Sequence, residues 1–320
     1  TSLTIKKETA LDRTTLVGAL PASIAPIMLR KDDLLVLTKE PIPGEPALYD
    51  AEGHIVKPAH ISCTLPEVFS HVKDGQPILF DDGKIEGVIM EVNKGALLVK
   101  ITQAKESGSK LLHDKGINLP ESKLQLEGLT QQDRKNLEFV VKHADAVSLS
   151  FVNQPEMIED LHQALKRLQA HKMGIVLKIE TKEGFRNLSL LLLTVMKNHP
   201  AGVMIARGDL AVECGWQRLA EVQEEILWLC EAAHIPVIWA TQVLESLSKK
   251  GRPSRAEITD AAMSQRADCV MLNKGPFVLQ AIELLDDILK RMQEHQHKKT
   301  SMLRPLHVSE LEVPITDQKK

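Results

Sequence analysis

The chain has 320 residues, 43% hydrophobic and 26% charged, which supplies apolar surface for one large or two smaller globular domains and excludes a disordered or coiled-coil chain. Its 40 basic and 43 acidic residues leave a net charge of -3, without the positive excess that holds a nucleic acid against salt. The longest apolar stretch, Leu188 to Met196, is broken by Ser189 and Thr194 and is less than half of a bilayer span, so no membrane segment is expected. Cys63, Cys214, Cys230 and Cys269 lie far apart with no C-x-x-C pair, which argues against a disulfide framework or a thiolate zinc site and for a reducing, cytoplasmic compartment. The first residue is Thr1 and no signal pattern follows it, so a chain cut from something longer is expected.

In chain order, the predicted elements begin with short strands joined by turns. Leu34 to Thr38, Ile78 to Phe80, Gly87 to Val92 and Ala96 to Ile101 are apolar runs. Asp81-Asp82-Gly83 and Asn93-Lys94-Gly95 lie between them, residue types that tolerate the positive φ of tight hairpin turns. Residues 1–120 therefore read as a small β-rich domain. From Leu126 onward five apolar strands recur: Ala146 to Val152, Gly174 to Ile179, Gly202 to Ala206, Pro236 to Ala240 and Cys269 to Leu272. Their starts are 28 to 34 residues apart, the length of a strand, a helix and two loops in a parallel βαβ series. Arg218 to Cys230 has helical spacing, with Leu219, Val222, Ile226, Leu229 and Cys230 on one stripe and Glu221, Glu224 and Glu225 off it. An α/β unit is expected over 121–294. The tail, 295–320, is mostly polar with Pro305 and Pro314, too poor in apolar surface to fold by itself, and His295 and His297 in it are expected to be solvated.

Several of the α/β strands end in groups that carry chemistry, where α/β enzymes place their sites. Lys178 and Glu180 are two residues apart, so strand alternation points both to one side, a cation and an anion in one pocket. The plainer reading is a solvent-facing ion pair at a fraying strand end, yet charges on buried strands are seldom tolerated without a purpose. The next strand runs into Ala206-Arg207-Gly208-Asp209-Leu210, which brings a second carboxylate to a similar height. Two carboxylates with open positions suit Mg²⁺ or Mn²⁺, which keep waters and accept substrate oxygens, and no zinc-type ligands lie nearby. Gly208 lets the backbone approach a ligand. Thr241, after Ala240, reads by itself as a helix cap. Ser254 and Glu257 read as a capping box, which leaves Arg252 and Arg255 unexplained.

Taken together, Leu177-Lys178-Ile179-Glu180, the run Ile205 to Glu213, the run Ala240 to Ser246, and Arg252 to Glu257 with Asp260 resemble the pyruvate kinase family in order and spacing. Asp81 to Ile85 and Lys115 to Pro120 resemble its small β lid, and Ala146 to Val152 its fourth barrel strand. The resemblance implies an α/β fold, a partial TIM (β/α)8 barrel of about five of the eight βα units, with a small all-β lid domain. It implies a barrel completed by a missing N-terminal segment or by another chain, no C-terminal effector domain, and a homo-oligomer. The implied reaction transfers phosphoryl between phosphoenolpyruvate and ADP. Lys178 and Thr241 would be catalytic, and Glu180 and Asp209 would hold the Mg²⁺ or Mn²⁺. Arg207, Gly208, Asp209, Thr241, Ser150 and Phe151 would line the substrate, and Asp82 and Lys115 would approach the nucleotide from the lid. The family's K⁺ ligands come from strands outside this chain, so K⁺ is possible but unassigned.

One departure concerns the proton. Where the family has Ser-Gly-Glu-Thr after the eighth strand, this chain has Asn273-Lys274-Gly275-Pro276, without the serine of the proton relay. Two other readings stay open. A magnesium-dependent pyruvate or oxaloacetate lyase of the aldolase type also stabilises an enolate on a carboxylate-bound metal. A degenerate, non-catalytic barrel is the other; retention of Lys178, Glu180, Asp209 and Thr241 argues against it, and Asn273 argues for it.

Overall fold

The computed structural model of the chain describes residues 2–7, 10–16, 26–52, 55–122, 128–197 and 200–293. The polar tail expected over 295–320 lies outside the described residues. A first antiparallel pair, β1 (Ser2–Lys7) and β2 (Ala10–Leu16), precedes the front sheet system. That system consists of β3 (Ile27–Leu29), β4 (Leu34–Thr38), β5 (Leu48–Tyr49), β6 (Ile55–Lys57), β7 (Ala59–Ser62), β8 (Pro77–Phe80), β9 (Ile85–Val92), β10 (Ala96–Gln103), β11 (Ser109–Leu111) and β12 (Ile117–Asn118). Six of these form one sheet in the order β12-β8-β9-β10-β4-β7, antiparallel except for the β4–β7 pair. Alternation explains why they are strands: β8 buries Ile78 and Phe80, and β10 buries Leu97, Val99 and Ile101, every second residue.

The two expected turns behave differently. Asp81, Asp82 and Gly83 all take positive φ between β8 and β9, as their residue types allow. Asn93, Lys94 and Gly95 do not; that loop is closed by the Asn93 N–H donating to the Ala96 carbonyl at 2.9 Å, a connection that needs no left-handed residue.

The second half is preceded by α1 (Gln131–His143), whose Thr130 and Asp133 form a capping box. It then alternates β13 (Ala146–Leu149), α2 (Pro155–Arg167), β14 (Gly174–Ile179), α3 (Lys182–Arg186), α4 (Leu188–Val195), β15 (Ala201–Ala206), α5 (Arg207–Cys214), α6 (Trp216–Ala232), β16 (Val237–Val243), α7 (Glu245–Lys250), α8 (Arg255–Met263), β17 (Cys269–Leu272) and α9 (Val278–Gln293). The five strands pair in parallel and in sequence order, about five of the eight βα units of a TIM barrel, beside the small β lid. Each half has its own apolar core. One gathers Leu35, Phe80, Ile89 and Val99; the other gathers Leu177, Ile205, Ile226 and Trp239.

Three local expectations change. The strand expected to run to Val152 stops at Leu149, and Phe151 turns the chain at φ 51°. The strand expected to end at Ala240 continues to Val243, with its register against β17 broken between Trp239 and Val243, so Thr241 sits in an irregular strand end and caps no helix. On α6, Glu225 is buried despite its charge, because α4, α5 and β15 pack against this helix and cover more of it than the apolar stripe. The capping box at Ser254 and Glu257 is present on α8.

The closeness of β9 and β10 is enforced by Gly87, where a methyl group would lie 2.6 Å from Val99 Cγ1 and 3.0 Å from the Lys100 carbonyl oxygen. Gly87→Ala is expected to destabilise the lid sheet by about 1–3 kcal/mol through overpacking. The urea midpoint of the chain, followed by amide exchange in β9 and β10, measures this; an unchanged midpoint with full protection would refute the close-packing account.

Candidate active site

The strand register sets the height of each group. Ile179 pairs with Ile205 and Ala206 pairs with Ala240, which brings Glu180 level with the start of α5 and Arg207 level with Thr241. Lys178 and Glu180 share one side of β14, as their spacing demands. The Lys178 Nζ lies 2.7 Å from Glu180 Oε1 and donates to Ser150 Oγ at 2.9 Å. The Phe151 N–H donates to the other carboxylate oxygen, Glu180 Oε2, at 2.5 Å. The Glu180 side chain is only 3% exposed, against 25% for Lys178. Burial therefore dominates and pushes the Glu180 carboxyl above its ordinary value, although Lys178 and the Phe151 N–H pull it down; the charge of Asp209 adds to the upward push.

Asp209 lies in the first turn of α5, whose amides have no intrahelical acceptor and receive no side-chain cap at Ala206. Glu213, one turn on, is pushed up by burial and further by Asp209, against the lowering effect of a hydrogen bond from the Lys182 backbone N–H. From the lid, the Asp82 carboxyl is pushed up by desolvation and next by Asp209. Lys115 does not join it. Its Nζ pairs with Asp81 Oδ1 at 2.8 Å, and Lys84 holds the other Asp81 oxygen at 3.1 Å. The lid edge is seated on α5, since a methyl on Gly83 would lie 3.4 Å from Val212 Cγ2.

Thr241 faces Gly208: a methyl on that glycine would lie 3.4 Å from Thr241 Oγ1. Four of the five N–H donors of the Arg207 guanidinium are taken up by protein. Nε donates to the Ala240 carbonyl at 3.0 Å, one terminal nitrogen to the Thr241 carbonyl at 2.5 Å and to Asp260 Oδ2 at 2.8 Å, and the other to Asp260 Oδ1. It also lies 4.7 Å over the ring of Trp239, whose Nε1–H donates to the same Asp260 at 3.2 Å. A guanidinium so committed clamps the bend at Thr241. Asn273, in the place of the expected relay serine, donates to Glu245 Oε1 at 3.1 Å.

Sequence reasoning passed over Asn118 and Glu213. Asn118 donates from Nδ2 to Asp209 Oδ1 at 3.1 Å across the lid and the barrel. The resemblance touched Asn118 only as part of the Lys115 to Pro120 run, and nothing local marks it as facing Asp209. The four cysteines are free, and burial pushes the thiols of Cys214 up to about 11 and Cys230 up to about 12, which removes both as nucleophiles near neutral pH. Among the described residues no group of three or more His, Cys, Asp or Glu side chains is placed to hold a metal, and no helix is long and apolar enough to cross a membrane. A cation at this site would rest on two carboxylates and leave positions for water and substrate, as magnesium does. Glu180 and Asp209 fit that requirement, because their mutual repulsion is what a divalent cation offsets.

The five parallel βα units, with charged groups gathered beyond the carboxyl ends of their strands, form part of a (β/α)8 barrel. The chain matches the family described as "Pyruvate kinase, barrel domain" over residues 49–277. It is 32% identical over 282 residues to the pyruvate kinase of Bacillus licheniformis, covering 86% of this chain and 46% of that protein. It is also similar to the Geobacillus stearothermophilus pyruvate kinase, 32% over 268 residues covering 81% and 44%, and to the human pyruvate kinase PKLR, 34% over 235 residues covering 71% and 39%. The chain belongs to the pyruvate kinase family, and it spans less than half the length of these relatives.

Glu180 gives a pH test. Its folded carboxyl is raised, so between the unfolded value near 4.5 and the higher folded value the folded state binds the extra proton. Its contribution to stability is present below 4.5 and is lost as pH rises through the folded value. Lys178→Met removes the largest lowering partner, raises the carboxyl further and widens that window. Urea unfolding between pH 4.5 and 7 should show a larger loss of stability in the variant; an identical slope would refute the pairing.

Proposed function

We propose that this chain carries the phosphoryl-transfer centre of a pyruvate kinase, acting between phosphoenolpyruvate and ADP to give pyruvate and ATP. The observation that carries the reading is the buried Glu180 carboxylate, held by Lys178 at 2.7 Å and facing the charge of Asp209. Membership of the family supports it. In this reaction the enol phosphate P–O bond breaks, a P–O bond to the terminal ADP oxygen forms, and the enolate carbon takes up a proton.

The Lys178 ammonium is placed to meet negative charge on the transferring phosphoryl group and on the enolate oxygen. Glu180 and Asp209 would hold Mg²⁺ or Mn²⁺, which supplies Lewis acidity and charge neutralisation to the oxygens of the substrate. The first-turn amides of α5 at Gly208 and Asp209 would take the substrate carboxylate, with Ser150 and Phe151 forming the floor. Thr241 Oγ1 would sit near the carbon to be protonated, through water. Arg207, clamped to Asp260 and to the Ala240 and Thr241 carbonyls, keeps that hydroxyl in place. Asp82 and Lys115 belong to the lid, 1–120, which would close over the nucleotide and exclude water from the partial barrel, 121–294. The remaining strands would come from an N-terminal segment or another chain, in a homo-oligomeric, cytoplasmic enzyme whose K⁺ ligands lie beyond this chain.

The full protein should form pyruvate from phosphoenolpyruvate only when ADP and Mg²⁺ are present. Lys178→Met should lower that rate by about 10²–10³-fold, the loss seen when one stabiliser of transition-state charge is removed, while leaving Mn²⁺ binding intact. An undiminished rate would overturn the assignment of Lys178. Oxaloacetate cleavage without nucleotide would move the reading to an aldolase-type lyase, and Mn²⁺ binding without turnover to a non-catalytic barrel.

A further inference from the structure

Asn118 is a polar residue buried where the lid meets the barrel, 4% exposed, on the short strand β12. Its backbone pairs with Leu79 on β8, the strand that leads into the Asp81-Asp82-Gly83 turn, so Asn118 and Asp82 reach the barrel from one edge of the lid sheet. Its Nδ2 donates to Asp209 Oδ1 at 3.1 Å, a contact between residues 91 apart in sequence. A carboxylate only accepts, so this contact fixes which end of the amide faces Asp209. The other end, Oδ1, is buried and has no donor among the described residues. An acceptor stripped of water with nothing in exchange is costly, and a site of this kind calls for a donor that arrives with a ligand.

We infer that Asn118 is a positioning residue of the cation site, with Nδ2 holding Asp209 in its orientation and Oδ1 accepting a hydrogen bond from a water that the hydrated cation brings. The inference rests on the reading of Glu180 and Asp209 as the divalent-cation ligands. It makes the lid edge part of the metal site: a lid swung away would leave Asp209 without its amide donor and the cation without an outer partner. Residues in this relation to a metal change its affinity by about 10–100-fold when altered.

The experiment is Mn²⁺ titration of the full chain, followed by the electron paramagnetic resonance of free Mn²⁺, with no nucleotide or substrate. Asn118→Leu removes both ends of the amide at similar size and should weaken binding by about 10–100-fold. Asn118→Ser keeps a polar side chain but does not reach Asp209 as the amide does, and should weaken binding by a similar factor. Amide exchange of β12 and α5 gives the second readout: Mn²⁺ should increase their protection in the unsubstituted chain and fail to do so in Asn118→Leu. Equal affinity in the unsubstituted chain and Asn118→Leu would overturn the inference and leave the two carboxylate ligands standing. Absence of saturable Mn²⁺ binding in the unsubstituted chain would overturn both. Should Asn118→Leu fail to fold, Asn118→Ser decides, and unchanged affinity there overturns the inference.

Discussion

A carboxylate shut away from water at the end of a barrel strand has to be held by something, and the surroundings of Glu180 answer to that need. One oxygen faces the Lys178 ammonium and the other an amide from the loop after β13. Those partners lower the cost of the buried charge without cancelling it, since burial still wins and the carboxyl stays above its ordinary value. Asp209 acts on it as a second acid, and Glu213 and Asp82, both also pushed up, feel the charge of Asp209 in turn. A cluster of this kind is short of positive charge, which is the state in which a divalent cation or a shared proton does most.

The same charge economy explains how the lid and the barrel meet. Each half closes its own apolar core, and the contacts between them run along the lid edge, where Asn118 reaches Asp209 and Gly83 rests against Val212. Polar and edge contacts of that sort hold an orientation while leaving little apolar area to be exposed when the two halves part. Lys115 illustrates the division of labour, since its ammonium is spent on Asp81 within the lid.

On the opposite side of the site, the irregular end of β16 is stabilised by Arg207. Four donated hydrogen bonds and a ring contact tie together Asp260, Trp239 and the carbonyls of Ala240 and Thr241. A threonine that would otherwise cap a helix is thereby held against Gly208. The register break between Trp239 and Val243 is the backbone counterpart of that clamp.

Sequence alone determined the regular parts. Strand alternation and the βαβ spacing located β8, β9, β10, β14 and β17 to within a residue or two, because period and turn chemistry are properties of neighbouring residues. The pairing of Lys178 with Glu180 was legible for the same reason, as two positions on one face of one strand. The burial of Glu225, the extension of β16 past Thr241, the commitment of Arg207 to Asp260, and the approach of Asn118 to Asp209 were decided only by tertiary structure. Each depends on which distant backbone lies alongside, and chain periodicity carries no information about a partner 91 residues away.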